Sequence, residues 1–420
     1  MARLARVGAR ARQVGLVVAL LLAIATFWVS MNGHVPVSEW LFWRFAGYWF
    51  ASGTFALLSL TLGDALVTWV RGGRRLPVRE QLAMAFPLGA LGFGVGVFGC
   101  GVLHLFRGGF FFWYPFGLAL VFVPRFAFAY WPLLRRLLRP GFRLPKSVAW
   151  RAPLFALALL LAYVPLITFR NIVYDATWYH FPAAEHYAAA GGIERFPEGW
   201  LLGAYPQLGT LFYSWAMTLP FGRFFDRAML CVHVEWMMFI GTLLSVPVMV
   251  RRLAPKLSGV GGALSMFLFP GMLLYDSSLG GGADHLAAAF APALWLSLLR
   301  AWPRLERRAC ALFALAFSAA ALTKYTALSL VGPVALGFGL RVLWLLAVAV
   351  WQRARARVSV REVLTSAALC GALVLCVTSI HWLKNLIFIA TPCSPWETSG
   401  SRRRRGATMR SGTTNSYRTT

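Results

Sequence analysis

The stretch from 170 to 206, RNIVYDATWYHFPAAEHYAAAGGIERFPEGWLLGAYP, is polar and rich in aromatic residues, whereas the rest of the chain is strongly apolar. It contains four of the fourteen acidic residues of the chain, which are Asp175, Glu185, Glu194 and Glu198. A carboxylate can take a proton from an attacking hydroxyl group. Because loops held by a rigid scaffold often carry function, we expect catalytic residues in this stretch.

Asp175 is the first candidate for such a general base. Tyr179 follows it at a spacing of four residues, which places both side chains on one face if a helix begins there. His180, Glu185 and His186 have the residue types of metal ligands. Their spacing does not put all three on one helical face, so a metal site built from them alone is the less favoured interpretation.

Three later segments beside apolar runs carry further candidates. They are YDSSLGGGADH at 275–285, TKY at 323–325 and HWLKN at 381–385. Ionisable residues near membrane depth are costly and mark function by default. Structural roles stay open for each of them. Asp276 could cap a helix or lie in a turn, Asp284 could cap a helix, and Lys324 could extend its ammonium group to the membrane interface.

The elements that position these residues are membrane helices. Hydrophobic residues make up 59% of the 420 residues and charged residues only 13%, whereas a soluble protein has about 25% charged residues. Apolar runs of membrane-spanning length recur along the whole chain. Since every backbone polar group in lipid must be bonded within its own helix, we predict an all-α polytopic membrane protein.

We predict about eleven transmembrane helices and a long outer loop with surface helices. The apolar runs lie at 14–31, 41–69, 83–106, 110–130, 152–169, 228–250, 258–276, 284–300, 309–323, 325–350 and 363–380. The segment 207–221 is short for a crossing, so we predict a helix on the outer membrane surface with Tyr213 and Trp215 at the lipid interface. The outer loop then extends from 170 to about 227.

The net charge of +27 does not indicate nucleic acid, because the basic residues cluster in short segments between apolar runs. Cytoplasmic loops of membrane proteins carry such an excess of Lys and Arg. With a cytoplasmic N-terminus, every cluster falls on the cytoplasmic side and the loop 170–227 faces outward. We therefore expect a multi-pass protein of the cell membrane, in bacteria the inner membrane, with the lipid bilayer as partner. The clusters are 3–12, 71–79, 135–151, 251–256, 300–308 and 353–361.

Residues 175–182 read Asp-Ala-Thr-Trp-Tyr-His-Phe-Pro. This string resembles the Asp-Ala-x-x-Tyr-His-x-Pro pattern of GT-C membrane glycosyltransferases, above all the bacterial relatives of the dolichyl-phosphate-mannose protein mannosyltransferases (family 39-like). The resemblance covers roughly 152–395. The chain departs from the family where Ala390-Thr391 replaces Gly-Asn and where about four spans precede the run at 152–169. Further similarities are Pro206 with 207–221, Asp284, Thr323-Lys324 and Trp382-Leu383-Lys384-Asn385.

The resemblance implies a glycosyltransferase that moves a sugar from a polyprenyl-phosphate donor to a hydroxyl acceptor at the outer face. The acceptor would be a glycan, a lipid or a protein. Some relatives use a divalent metal, and for this chain no cofactor is certain. The implied roles are base for Asp175 and then Asp284, donor phosphate binding for Lys324, Lys384 and Arg170, and further substrate contacts for Tyr179 and His180.

On this basis the chain has three parts. A four-helix extension at 1–151 precedes a GT-C-like core at 152–395, and a basic tail follows at 396–420. The tail is rich in Arg and Thr without apolar periodicity, which favours disorder or a truncated, aberrant end that would leave the enzyme inactive. The alternative function is a lipid or small-molecule transporter or flippase without transferase activity. It predicts internal repeats, and we find no convincing repeat.

Overall fold

A computed structural model of the chain describes residues 2–139, 172–196, 200–220, 223–257, 279–351 and 358–389, with a few single positions in 155–163 and at 265. This part is helical, with short turns and without strands. A π-helical turn, Ala176–His180, directly precedes α5. The α-helices are α1 (Ala2–His34), α2 (Leu41–Val70), α3 (Val78–Val102), α4 (Phe110–Leu137), α5 (Phe181–Ala190), α6 (Leu208–Met217), α7 (Phe224–Leu253), α8 (Asp284–Ala301), α9 (Arg307–Ala321), α10 (Leu328–Trp351) and α11 (Val360–Ile389).

Seven of the described helices are long and apolar enough to cross a bilayer, namely α1 to α4, α7, α10 and α11. This confirms the all-α class, but the predicted count of about eleven spans is not confirmed. The runs at 284–300 and 309–323 form α8 and α9, which have 18 and 15 residues, whereas a crossing needs about 20. The predicted spans 152–169 and 258–276 lie largely outside the described residues.

The first of two compact units, 1–51, contains α1 and the beginning of α2. Hydrogen bonds close the turn between these helices. The side chain of Asn32 accepts a bond of 3.0 Å from the backbone N–H of Val37. The indole of Trp40 donates a bond of 3.1 Å to the carbonyl oxygen of Val35.

The second unit, 52–420, has the short helix α6 in its core. Helix α6 packs against α3, α5 and α7, and all ten of its residues are buried. The ring of Trp215 stacks on Phe111 at 4.9 Å and lies edge-on to Phe93 at 5.4 Å. Tyr213 is also fully buried. The prediction that Tyr213 and Trp215 lie at the lipid interface is therefore wrong.

Helices α2 and α3 touch through their backbones at two glycines. A Cβ atom at Gly63 would overlap the carbonyl oxygen of Ala85, and one at Gly89 would overlap that of Ser59. Only glycine permits such an approach, because it has no side chain. The close pair fixes the position of α3, which in turn contacts α6, α7 and α8.

Asp64 is a buried carboxylate that joins α2 to the next two helices. It accepts hydrogen bonds from Gln81 at 2.9 Å, from the hydroxyl of Tyr130 at 2.9 Å and from Arg75 at 3.0 Å. A buried charge is tolerated when it is paired and hydrogen-bonded in this way. Asp64 therefore acts as an internal polar contact of the helix bundle.

Candidate active site

Three charged side chains from distant parts of the sequence meet within the second unit. The ammonium nitrogen of Lys324 lies 2.7 Å from Oδ2 of Asp175 and 3.2 Å from each carboxylate oxygen of Asp284. The Lys324 side chain is 14% exposed, that of Asp175 36% and that of Asp284 70%. One ammonium group thus joins two carboxylates at a place that solvent can reach. We call these three residues the charged cluster.

Asp175 is held by the segment that leads into α5. The backbone N–H of Val173 donates a bond of 3.1 Å to the carbonyl oxygen of Gly280, which ties this segment to the turn before α8. The π-helical turn Ala176–His180 begins directly after Asp175, and such turns are frequent at functional sites. The hydroxyl of Tyr179 donates a bond of 3.2 Å to Asp175, which confirms the predicted pairing at a spacing of four residues.

Asp284 is the first residue of α8, and the N-cap position before it is occupied by Ala283. The capping role considered from the sequence is therefore not realised, although a carboxylate at a helix N-terminus is still stabilised by the helix dipole. The turn before it requires glycine at Gly281, which has φ +88°, and a Cβ there would overlap the ring of Phe181. The conformation of this turn therefore fixes the position of Asp284 at the start of α8.

Glu235 fixes the same turn from α7, and sequence reasoning assigned it no function. Its Oε2 accepts a bond of 2.7 Å from the backbone N–H of Gly281, and its Oε1 lies 2.9 Å from Nδ1 of His285. Both side chains are buried. The available signal was a carboxylate inside an apolar run, since an ionisable residue at such a place usually has a specific partner.

Lys324 lies between α9 and α10 in an extended backbone conformation, with φ −162°. The residues before it are anchored on both sides. The carbonyl oxygen of Leu322 accepts a bond of 2.9 Å from the backbone N–H of Leu208, at the start of α6. The hydroxyl of Thr323 donates a bond of 2.8 Å to the carbonyl oxygen of Ala319. The buried helix α6 therefore positions the lysine.

The charges of the cluster stabilise one another. Burial raises the pKa of the Asp175 carboxyl, but the hydrogen bond and charge of Lys324 and the bond from Tyr179 lower it more, so the pKa lies below its ordinary value of 3.8. Burial lowers the pKa of Lys324, but Asp175 and Asp284 raise it more, so the pKa lies above its ordinary value of 10.5. Asp175 and Lys324 are therefore both charged at neutral pH.

His180 is fully buried behind the cluster. Its Nδ1 lies 3.0 Å from the hydroxyl oxygen of Thr210, and its ring lies 4.1 Å from that of Tyr179. Burial, together with the charge of Lys324, lowers the pKa of His180 to about 3. The imidazole is therefore neutral at physiological pH and packs against Tyr179, which itself donates to Asp175.

Two tyrosines that sequence reasoning did not single out extend the site. The ring of Tyr205 lies 5.9 Å from that of Tyr179 and 5.1 Å from that of Tyr325. Nε2 of His381 lies 3.5 Å from the hydroxyl of Tyr325. Tyr205 and Tyr325 are half-buried, so each presents a ring face and a hydroxyl group, a combination suited to an amphipathic ligand.

Lys384 contacts a different part of the polar stretch. Its ammonium nitrogen donates to the carbonyl oxygen of Gly203 at 2.7 Å and to Oε1 of Gln207 at 2.8 Å. The neighbouring Asn385 donates to the carbonyl oxygen of Ala204 at 2.8 Å. Lys384 is buried, so its described contacts hold a short 3-10 turn in place. Arg170, the third predicted cation, lies outside the described residues.

Within the described part of the chain, no group of three or more His, Cys, Asp and Glu side chains could hold a metal ion. A cavity described there lies between α2, α3 and α7 and contains none of the charged cluster. We locate the candidate site where Asp175, Asp284 and Lys324 meet, because these side chains lie close enough together to act on one substrate.

Comparison with known proteins returned no match. No family model, no curated protein and no solved structure matches this chain. The resemblance to GT-C glycosyltransferases therefore stays a prediction.

Proposed function

We propose that the protein transfers a sugar from a polyprenyl-phosphate donor to a hydroxyl acceptor at the outer face of the cell membrane. The observation that carries the proposal is the convergence of Asp175, Asp284 and Lys324. Lys324 is 149 residues from Asp175 and 40 from Asp284 in sequence, yet it bonds to both. Charged groups beside membrane helices are costly, and their concentration in one accessible place marks a working site.

The cluster has the groups that such a transfer needs. The acceptor oxygen attacks the anomeric carbon of the donor, the bond from that carbon to the phosphate oxygen breaks, and its electron pair leaves with the phosphate. The hydroxyl proton goes to the carboxylate of Asp175. The ammonium of Lys324 stabilises the negative charge on the departing phosphate. The rings of Tyr205 and Tyr325 offer faces on which a sugar can rest.

Donor binding also adjusts the base. In the structure Lys324 lowers the pKa of Asp175 through a hydrogen bond and its charge, which makes the carboxylate a weak base. A donor phosphate that also bonds to Lys324 weakens the interaction between Lys324 and Asp175, and it adds a second negative charge nearby. Both effects raise the pKa of Asp175. The carboxylate therefore becomes a stronger base when the donor is in place.

The formal charge of the cluster sets a further requirement. Two carboxylates and one ammonium carry a net charge of −1, so an anionic phosphate needs additional positive charge. Arg170 is one candidate. A divalent cation is another, since Mg²⁺ is usually held by one or two carboxylates together with substrate phosphates. Asp284, which is 70% exposed, is the residue that would hold the ion together with the phosphate, and when bound the ion would supply positive charge there.

The test is sugar transfer by the purified full-length protein in liposomes. Polyprenyl phosphates carrying radiolabelled hexoses or pentoses serve as donors, a bacterial membrane fraction supplies acceptors, and Mg²⁺ or EDTA is added in parallel. We expect transfer by the wild type and a loss of about 10²- to 10⁴-fold for Asp175→Asn, because general-base catalysis contributes that much.

Glu185→Gln is the matched control, because Glu185 is an exposed carboxylate in the same stretch and lies outside the charged cluster. It should transfer sugar at the wild-type rate. Equal transfer by Asp175→Asn and the wild type would exclude Asp175 as the base. Movement of intact donor across the bilayer without release of sugar would instead favour the flippase alternative.

A further inference from the structure

A second feature of the molecule is independent of the charged cluster. A cavity of about 870 Å³ lies between α2, α3 and α7. Most of its wall is apolar and comes from residues that face one another across three helices. The principal apolar residues are Leu57, Leu60, Phe86, Met237, Ile240 and Leu244.

Three arginines line one end of this cavity. Arg79 lies in the first turn of α3, and Arg251 and Arg252 lie in the last turn of α7. All three are exposed, and no ion pair joins any of them to a carboxylate among the described residues. Glu80 also lines the cavity, but its carboxylate pairs with Arg300. The end of the cavity therefore carries uncompensated positive charge.

The dimensions match one leaflet of a bilayer. The stretch of α7 that lines the cavity runs from Met237 to Arg252, which corresponds to about 22 Å along the helix axis at 1.5 Å per residue. The hydrocarbon core of a bilayer is about 30 Å thick, so one leaflet supplies about 15 Å of acyl chain. The remaining length suffices for a headgroup beside the arginines.

We propose that this cavity binds an anionic phospholipid, with its phosphate at Arg79, Arg251 and Arg252 and an acyl chain between α2, α3 and α7. Charge complementarity selects an anionic over a zwitterionic headgroup, and the apolar wall selects a lipid over a free phosphate. The bound lipid fills the space between these three helices and fastens α7 to α3 at the arginine end.

Native mass spectrometry of the detergent-purified full-length protein tests this proposal. Dioleoylphosphatidylglycerol is titrated against dioleoylphosphatidylcholine, which has the same chains, and against glycerophosphoglycerol, which has none. We expect tight binding of the first lipid alone. An Arg251→Gln/Arg252→Gln variant should bind it about thirtyfold more weakly, since each arginine near an anionic lipid contributes about fivefold.

Two further variants separate the effect of charge from the effect of the cavity. Arg136→Gln/Arg139→Gln removes the same charge from exposed positions that do not line the cavity, and it should bind the lipid like the wild type. Leu60→Trp keeps all arginines but narrows the cavity, and it should weaken binding. Equal binding of the two dioleoyl lipids, equal losses in both arginine pairs, or full binding of glycerophosphoglycerol would overturn the proposal.

Discussion

Replacement of Glu235 tests how the candidate active site is held in place. This buried residue of α7 bonds to the backbone N–H of Gly281 at 2.7 Å and to Nδ1 of His285 at 2.9 Å. Gly281 lies three residues before Asp284, and His285 directly follows Asp284. Loss of the carboxylate therefore loosens the turn that positions Asp284, which Val173 and Tyr213 still hold at Gly280 and Gly282. Glu235 itself does not contact the charged cluster.

The magnitude follows from these two bonds. In Glu235→Leu both donors are left buried without a partner, at about 1–3 kcal/mol each, so the free energy of unfolding should fall by about 2–6 kcal/mol. In Glu235→Gln the amide can still accept from Gly281 and donate to the other tautomer of His285. Only the assistance of the charge is lost, at about 1 kcal/mol per bond, so the fall should be about 2 kcal/mol.

Thermal unfolding in detergent and the kcat of sugar transfer are the assays. We expect kcat to fall less in Glu235→Gln than in Glu235→Leu. The loss in Glu235→Leu should be about a hundredfold, because a misplacement of 1 Å can cost that much. Thr242→Val is the control. Thr242 is buried on the same helix and donates only to its own helix, to Met238 at 2.9 Å. Glu235→Leu with the Tm and kcat of this control would refute the reasoning.

Three further predictions concern the charge, the loop and the topology. Because the pKa of Asp175 in the free protein is lowered, kcat/KM should fall only below pH 3.8. Because donor binding raises that pKa, kcat should begin to fall at a higher pH than kcat/KM. A fall of both over the same pH range would contradict the reasoning. Lys384→Met removes one bond to the turn Leu201–Ala204 and one to Gln207, and it should speed cleavage of the turn in limited proteolysis. If Lys384→Met instead loses sugar transfer while its cleavage rate is unchanged, Lys384 binds the donor. When an impermeant maleimide is added to intact cells, the Glu194→Cys variant should be labelled more strongly than the unmodified protein. Labelling no stronger than that of the unmodified protein would contradict the predicted outward orientation of the loop.

The charged cluster could be predicted in part from the sequence. Ionisable residues beside apolar runs stand out in a sequence, and this reasoning selected Asp175, Asp284 and Lys324 as candidates. The contact of Asp175 with Tyr179 also followed, because residues four apart are neighbours on a helix. Local spacing and the position of ionisable residues beside apolar runs are visible in a sequence without a structure.

Other parts could not be predicted, for physical reasons. An apolar helix such as 207–221 has the same pattern whether lipid or protein surrounds it, since lipid tails are as apolar as Leu. The burial of α6 was therefore missed. The bonds of Glu235 to Gly281 and of Lys384 to Gly203 join residues that are 46 and 181 positions apart. Periodicity identifies the face of a helix but not the element that packs against it.

The central claim is that Asp175 and Lys324 act together on one donor, and a double-mutant cycle tests it most directly. Transfer rates are measured for the wild type, Asp175→Asn, Lys324→Gln and the double variant at equal reconstituted amounts. Residues that act as a unit are strongly non-additive, so the double variant should lose about as much as the more damaged single variant. Losses that multiply, or a wild-type rate in either single variant, would contradict a shared active site.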